Sequence, residues 1–347
     1  MPRRTALLVG INYRGTENEL NGCYNDVVNV SQYLRTALGY APGAISVLTD
    51  GNRDSPAFPA SVAPTRQNIL AGMAALVAGM VAGDEAVFHF SGHGTLVRDR
   101  NGDEVTGLDS CLCPLDYNAP SAAGGGVITD DEIRALLVNK VPRGARLYVF
   151  LDCCHNGTGC DVRFKYEDFS ILLRPPSART AALWRTQQKA FANPKYTETA
   201  GEVYMISGSR DEQTSADAYI NNAFAGALTY AVFAILRANQ ASIRGYSWSS
   251  LLRDVRHFMR ANRYSQIPQL MTGQLISPAR PVFAVAAAAA GSRGSSALEL
   301  SSGASGSSGA GSRGFSASDT PATLFSFSVK PKSGSGSRSR HGIQFLV

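Results

Sequence analysis

Short runs of Val, Ile, Leu and Phe alternate along this chain with stretches whose apolar residues recur at helical spacing. Residues 6–11 and 44–48 read as strands, and residues 21–37 and 65–81 as amphipathic helices. This alternation predicts a parallel sheet with crossover helices. A third strand, 85–90, runs into Ser91-Gly92-His93-Gly94, and a fourth, 146–151, runs into Asp152-Cys153-Cys154-His155-Asn156-Gly157. In open α/β sheets ligands bind outside the C-terminal ends of the strands, so topology alone places both reactive segments on one rim. Between them, residues 99–104 form a polar turn, and Thr129 with Glu132 has the spacing of a capping box that opens a helix.

Beyond Cys160 the pattern weakens. Residues 161–201 include Arg174-Pro175-Pro176 and the basic positions Arg179, Arg185, Lys189 and Lys195, and are expected to form an exposed linker. Order resumes with a strand at 203–207, helices at 223–238 and 248–262, and a last strand at 269–271. From Gly291 onward Gly, Ser and Ala dominate, and residues 284–347 are expected to be a flexible tail. The reading is therefore one folded domain, 1–283, in two halves (1–160 and 202–283) joined by the linker, with no fixed-period repeat.

Composition changes little in this picture. At 44% hydrophobic and 17% charged residues the body is neither disordered nor a coiled rod. Of the net charge of +6, +4 lies in residues 285–347, so the body is near neutral and lacks the basic face that nucleic-acid binding requires. The six cysteines end at Cys160 and form no disulfide framework, which suits a reducing compartment. The apolar run after Arg3-Arg4 stops within six residues, reading as a strand and not a leader, and no stretch is long enough to span a bilayer.

A thiol and an imidazole on neighbouring strand ends are the minimum for nucleophilic acyl transfer. Alone, His93 between two glycines is an ordinary surface histidine; beside the cysteine motif it becomes a general acid–base. Cys153 continues the strand alternation and is expected to be packed and inert, whereas Cys154 falls at the turn, where backbone N–H groups help lower a thiol pKa. His89, in mid-strand, is expected to be structural, and His155 a supporting residue. Cys111 and Cys113 lack the spacing of a zinc knuckle, and no Gly-rich segment fits a P-loop or dinucleotide fingerprint.

Phe90-Ser91-Gly92-His93-Gly94-Thr95 with Asp152-Cys153-Cys154-His155 resembles the metacaspases, caspase-fold cysteine peptidases of plants, fungi and protozoa. Gly10-Ile11-Asn12-Tyr13, residues 20–26, 109–114 and 128–132, Ser207-Gly208-Ser209 with residues 213–217, and Pro268-Gln269-Leu270 extend the likeness over about residues 5–278. Asn156 stands where the family usually has Ser. Neither the N-terminal extension of type I members nor the long insertion of the plant type II group precedes or divides these motifs, so the arrangement is type I-like.

The resemblance implies a caspase-like three-layer α/β/α sandwich around a mostly parallel sheet. It implies a cysteine endopeptidase with His93 and Cys154 as the dyad. The N–H groups of Gly94 and Cys154 would face the oxyanion, and a thioester would form and hydrolyse. Asp152 stands two residues before the nucleophile, and with Asp26 it would make a doubly acidic pocket for Arg or Lys. Asp26 reads equally as a helix first-turn charge. The resemblance adds Cys23 and Ser91 to the pocket. On spacing alone Asp130 and Asp131 are helix N-terminal charges; the resemblance implies Ca²⁺ as an activator held by Asp109, Asp130, Asp131 and Asp161. It also implies protein or peptide substrates, a monomer, a cytoplasmic or nuclear location, self-cleavage in the linker, and roles in cell death, stress responses or proteostasis. A catalytically silent scaffold on the same fold is the alternative, against which the intact His93, Asp152 and Cys154 speak.

Overall fold

A computed structural model describes residues 2–51, 58, 61–104, 107–119, 126–153, 159–166, 192–208, 217–220, 223–240, 246–277 and 279–283. The expected tail lies outside them. In chain order the strands are β1 (Arg4–Gly10), β2 (Ile45–Thr49), β3 (Glu85–Ser91), β4 (Gly94–Arg98), β5 (Leu108–Leu112), β6 (Ile128–Thr129), β7 (Arg146–Asp152), β8 (Phe164–Tyr166), β9 (Glu202–Ser207), β10 (Asp217–Ile220), β11 (Ala223–Gly226) and β12 (Gln269–Thr272). The helices are α1 (Cys23–Leu38), α2 (Arg66–Val77), α3 (Asp130–Leu136), α4 (Ala227–Ala238) and α5 (Trp248–Ala261).

Seven strands form one sheet in the order β2-β1-β3-β7-β9-β12-β8. The first five are mutually parallel, and β12 runs antiparallel to both its neighbours. Covered on both faces, the central strands read as continuous apolar runs. Ala6, Leu8, Val87, Tyr148, Phe150 and Tyr204 pack with residues of α1, α4 and α5, among them Val30, Phe233 and Trp248. On the other face Leu7, Val9, Phe88, Leu147 and Val149 pack with Ile69 and Met73 of α2 and Ile133 of α3. The three-layer α/β/α architecture expected from the sequence is the one observed. At the N-terminal rim Glu85 pairs with Arg4 (3.1 Å) and Arg146 (3.4 Å), and Arg146 (3.0 Å) and Arg280 (2.8 Å) pair with Glu202. That end is built for stability and the other for chemistry.

Helix boundaries follow local chemistry. Thr65 caps α2 by accepting the Asn68 N–H, and Thr129 and Glu132 form the expected capping box of α3. Helix α1 closes on Gly39 at φ 72°, whose N–H returns to the Leu34 carbonyl. Three features depart from the sequence reading. Residues 223–226 are a strand, and the helix begins only at Ala227. The hairpin β4–β5 with β6 makes a small second sheet that the sequence reading did not anticipate. The ends of the 161–201 segment are built into the fold: β8 is an edge strand, and Phe164, Tyr166, Tyr196 and Thr199 are buried.

Candidate active site

Strand pairing brings the two reactive segments together. Gly10 of β1 registers with Ser91 of β3, and Ser91 with Asp152 of β7, so three strands end in one row. The Gly92 N–H continues the ladder to the Asp152 carbonyl at 3.3 Å. In sequence, His93 follows Ser91 by two residues and Cys154 follows Asp152 by two. Cys154 and His155 lie outside the described residues. Cys153 is fully buried in the core beneath, packed as the strand alternation predicts.

His93 is half-buried, and its Nε2 lies 2.7 Å from the Asn18 carbonyl oxygen. A carbonyl only accepts, so Nε2 carries the proton and the lone pair of the neutral ring is on Nδ1. Burial pulls the ring's pKa down from 6.5 and the Asn18 bond partly restores it, which keeps the imidazole neutral and basic near pH 7. The ring also lies 4.7 Å from that of Tyr13. Gly92 owes its identity to this packing: a Cβ there would sit 2.9 Å from the Tyr13 oxygen and 3.1 Å from the Phe90 ring. Gly94 pairs with Leu112 in β4–β5, next to the hydrogen-bonded His93–Cys113 pair. Hydrogen-bonded and non-bonded pairs alternate in an antiparallel ladder, so the Gly94 N–H points away from β5.

The acidic residues named from the sequence converge at the same strand ends. Ser91 Oγ donates to Asp26 Oδ2 at 2.6 Å, and the Gly226 N–H lies 3.0 Å from both Asp26 oxygens. Asp152 Oδ2 accepts the Thr229 N–H at 2.8 Å. Both carboxylates therefore sit at the N-terminus of the twelve-residue α4, where backbone donors favour negative charge. A Cβ on Gly226 would lie 2.2 Å from Asp152 Oδ2 and 2.7 Å from Asp26 Oδ2, so the two face a common point. Cys23 opens α1 beside them, buried, with its N–H donated to Asn12 Oδ1 at 3.0 Å. His89 lies one pleat below Ser91, fully buried, with Nε2 3.1 Å from Thr229 Oγ1, and burial pushes its pKa down to about 3. It is neutral and structural, as expected.

A second acidic constellation lies at the far end of the β4–β5 hairpin. Carboxylate oxygens of Asp103, Asp131 and Asp161 lie within 4.8 Å of one another, as do those of Glu104, Asp130 and Asp161, and those of Asp99, Asp103 and Asp109. Asp109, Asp130, Asp131 and Asp161, named from the sequence, thus share one site with three further acids. Asp130 Oδ2 accepts the Ser110 N–H at 2.8 Å. The single Tyr196 hydroxyl proton goes to Glu104 Oε1 at 2.6 Å. Both oxygens of Asp161 and Oδ1 of Asp109 are buried with no hydrogen-bond donor among the described residues. Burial raises the pKa values of Asp130 and Asp161; repulsion from Glu104 and Asp109 raises that of Asp130 further, and repulsion from Asp130 and Glu104 that of Asp161. Buried, donor-poor oxygens without a sulfur or imidazole among them fit a hard divalent cation.

Comparison with known proteins decides the family. The metacaspase peptidase C14 domain matches residues 4–163. Metacaspase-1 of Schizosaccharomyces pombe is 34% identical over 298 residues, which cover 77% of this chain and 67% of that protein. Metacaspase-1 of Pyricularia oryzae is 36% identical over 296 residues, covering 77% and 71%. The chain belongs to the metacaspase family. Metacaspase-1 of Yarrowia lipolytica, 36% identical, is longer, and the match spans 61% of its length. The crystal structure of protein GSU0716 from Geobacter sulfurreducens superposes with a TM-score of 0.53 at 25% identity, over 81% of this metacaspase and 97% of that chain. The domain is thus that of a cysteine-type peptidase.

Several residues that build the metacaspase site escaped the sequence reading. Gly226 and Thr229 supply main-chain donors, which leave no side-chain signature. Asp99, Asp103 and Glu104 were read only as a turn, yet Asp99-x-Asn101-x-Asp103 alternates oxygen-bearing side chains in the manner of a calcium loop's start, a usable signal. The Gly226 geometry gives a direct test. With φ −65° and ψ 131°, Ala fits the backbone there, so Gly226→Ala acts through the space between the carboxylates, which must shift to admit the methyl group. The expected result is a rise in KM for a basic peptide of at least about tenfold, the equivalent of ~1.4 kcal/mol, with little change in kcat. An unchanged KM would separate Gly226 from substrate binding.

Proposed function

We propose that this metacaspase is a calcium-dependent cysteine endopeptidase that cleaves after Arg or Lys. The carrying observation is the convergence of buried Asp26 and Asp152, with Ser91, on one point at the strand ends that lead into His93 and Cys154. A cationic side chain entering there meets two carboxylates, Arg bidentately and Lys as a point charge. That sets the scissile carbonyl beside Cys154. The thiolate attacks to give a tetrahedral oxyanion, which the outward N–H of Gly94 and that of Cys154 stabilise. His93 takes the thiol proton on Nδ1 as the sulfur attacks and passes that proton to the departing amine, while Nε2–H stays on the Asn18 carbonyl; water, giving a proton to Nδ1, then hydrolyses the thioester and the proton returns to Cys154. The substrates are proteins or peptides with an exposed basic residue, the chain itself at its Arg- and Lys-bearing 161–201 segment included. The reading extends to a monomer working in the cytoplasm or nucleus.

The acidic constellation supports a regulatory ion. Asp109 registers with Val97, four residues along β4 from His93, or ~13 Å at strand spacing, too far for contact with the scissile bond. Asp161 follows Cys154 by seven residues. A calcium ion held by Asp109, Asp130, Asp131 and Asp161 would therefore tie the segment after the nucleophile to the hairpin that carries the histidine, and neutralise carboxylates that otherwise repel.

The deciding assay is cleavage of Arg, Lys and Asp reporter peptides with calcium and with excess chelator. Arg and Lys cleavage that falls at least tenfold in chelator is expected; cleavage after Asp, or activity indifferent to chelator, overturns the respective half of the proposal. Stability gives a pH test. Folded-state carboxyl pKa values above the unfolded value mean that the folded form binds more protons, so stability without calcium is full at low pH and is lost as pH rises above the ordinary carboxylate range. Calcium competes with those protons. Its increase in Tm is expected to be larger at pH 8 than at pH 5, by calorimetry.

A further inference from the structure

Tyr13 takes no part in the bond-making steps, yet its ring and its hydroxyl both meet His93. It stands three residues beyond the end of β1 and holds φ at 50°, in the left-handed region that a bulky side chain enters only where its surroundings impose it. Its side chain is buried to 1% exposure. The ring lies 4.7 Å from the imidazole, at a 39° tilt.

The hydroxyl has a more specific place. By the register of β4–β5, His93 faces Cys113, and such a pair closes two rungs. One is direct, from the Cys113 N–H to the His93 carbonyl at 3.0 Å. The other runs through Tyr13: the His93 N–H donates to the phenol oxygen at 2.9 Å, and the phenol donates to the Cys113 carbonyl at 2.5 Å. A hydroxyl inserted in a rung sets the spacing of the two chains at the residue that carries the base. Tyr13 also anchors the loop that receives the other side of the imidazole. Its carbonyl accepts from Thr16 Oγ1 at 2.7 Å, Thr16 Oγ1 accepts the Asn18 N–H at 3.2 Å, and the Asn18 carbonyl meets His93 Nε2.

We propose that Tyr13 is the positioning residue of the catalytic histidine. It fixes the backbone of His93 through the relayed rung, the ring plane by the tilted ring contact, and the Nε2–H direction through the loop to Asn18, which leaves the basic lone pair on Nδ1. The inference rests on His93 being the general acid–base. Substrate binding at Asp26 and Asp152 does not pass through Tyr13.

The test is Tyr13→Phe, which keeps the ring and removes the relay. The expected result with an Arg reporter is a loss of kcat of about 10- to 100-fold, below most of the roughly 10²- to 10⁴-fold that general acid–base catalysis supplies because the base is displaced and not removed, with KM changed less than about twofold. In a Cys154→Ala background the hydrogen-bonded His93 Nε2–H proton, observable by NMR, should exchange faster once Tyr13 is Phe. A kcat within twofold of the parent, a loss confined to KM, or an Nε2–H signal unmoved by the substitution overturns the proposal. Should Tyr13→Phe fail to fold, 3-fluorotyrosine at position 13 keeps the packing and alters only donor strength; a shifted Nε2–H signal then supports the assignment and an unshifted one rejects it. The proton signal reports on the ring whether or not peptides are cut. Full activity in His93→Ala strikes the acid–base reading itself, a result distinct from any Tyr13 outcome.

Discussion

Replacing Cys154 by Ala is expected to abolish turnover, and replacing Cys153 by Ala to leave most of it. Nucleophile and base act as a unit, so removal of either costs on the order of 10⁶ in kcat in the acyl-transfer enzymes where both have been deleted. His93→Ala should match Cys154→Ala, with no further loss in the double variant. Cys153 is a different case. Its side chain is sealed in the core with Val203, Met205 and Met271, so its loss exchanges a small apolar group for a smaller one. A destabilisation of about 1 kcal/mol and a lower Tm are expected, without a change in kcat for the folded fraction. Burial also keeps a thiol protonated, which is the wrong state for attack. The measurement is kcat for an Arg reporter beside the melting curve of each variant. Equal loss of kcat in both cysteine variants, with intact melting, would undo the assignment of the nucleophile to Cys154.

How much of this site could be read from residues alone follows from where the information is held. Strands buried on both faces announce themselves as apolar runs, so β1, β3, β7 and β9 were legible to within a residue or two. Their parallel order directs His93 and the residues that follow Asp152 to one rim. The β4–β5–β6 sheet was not legible, because Ile128–Thr129 is too short for a period to show and Asp109-Ser110-Cys111 carries polar residues turned towards a charged site. Residues 223–226 read as the start of a helix because Ala and Phe suit either state; β10 pairing and a glycine at 226 decide for strand. Asp26 reads from sequence either as a helix charge or as a pocket wall; the structure puts it in the first turn of α1, where it accepts the Gly226 N–H from the entrance to α4. What remained hidden is main-chain hydrogen bonding. The Asn18 carbonyl, the Thr229 N–H and the rung relayed by Tyr13 depend on loop conformation, which no residue type encodes.

The same main-chain bonds make the specificity test clean. Asp26→Asn and Asp152→Asn preserve shape and leave each amide oxygen to accept from Gly226 or Thr229, so the charge is removed while the entrance to α4 keeps its partners. Breaking one member of a buried, hydrogen-bonded charge pair typically costs about 2–5 kcal/mol, so each substitution should lower kcat/KM for Arg and Lys reporters by about 10²- to 10³-fold. Arg should lose more than Lys at the site that binds it through two parallel N–H bonds. Because the carboxylates face one another across Gly226, their effects are coupled, and the double variant should fall short of the product of the singles. A neutral Gln reporter supplies the internal control. Its slow cleavage should hold steady or rise as like charges leave the pocket, since the dyad at His93 and Cys154 is untouched. Preference for Arg over Gln retained in the double variant would place basic recognition elsewhere on the chain, and with it remove the reason for reading these two buried carboxylates as anything but caps of α4.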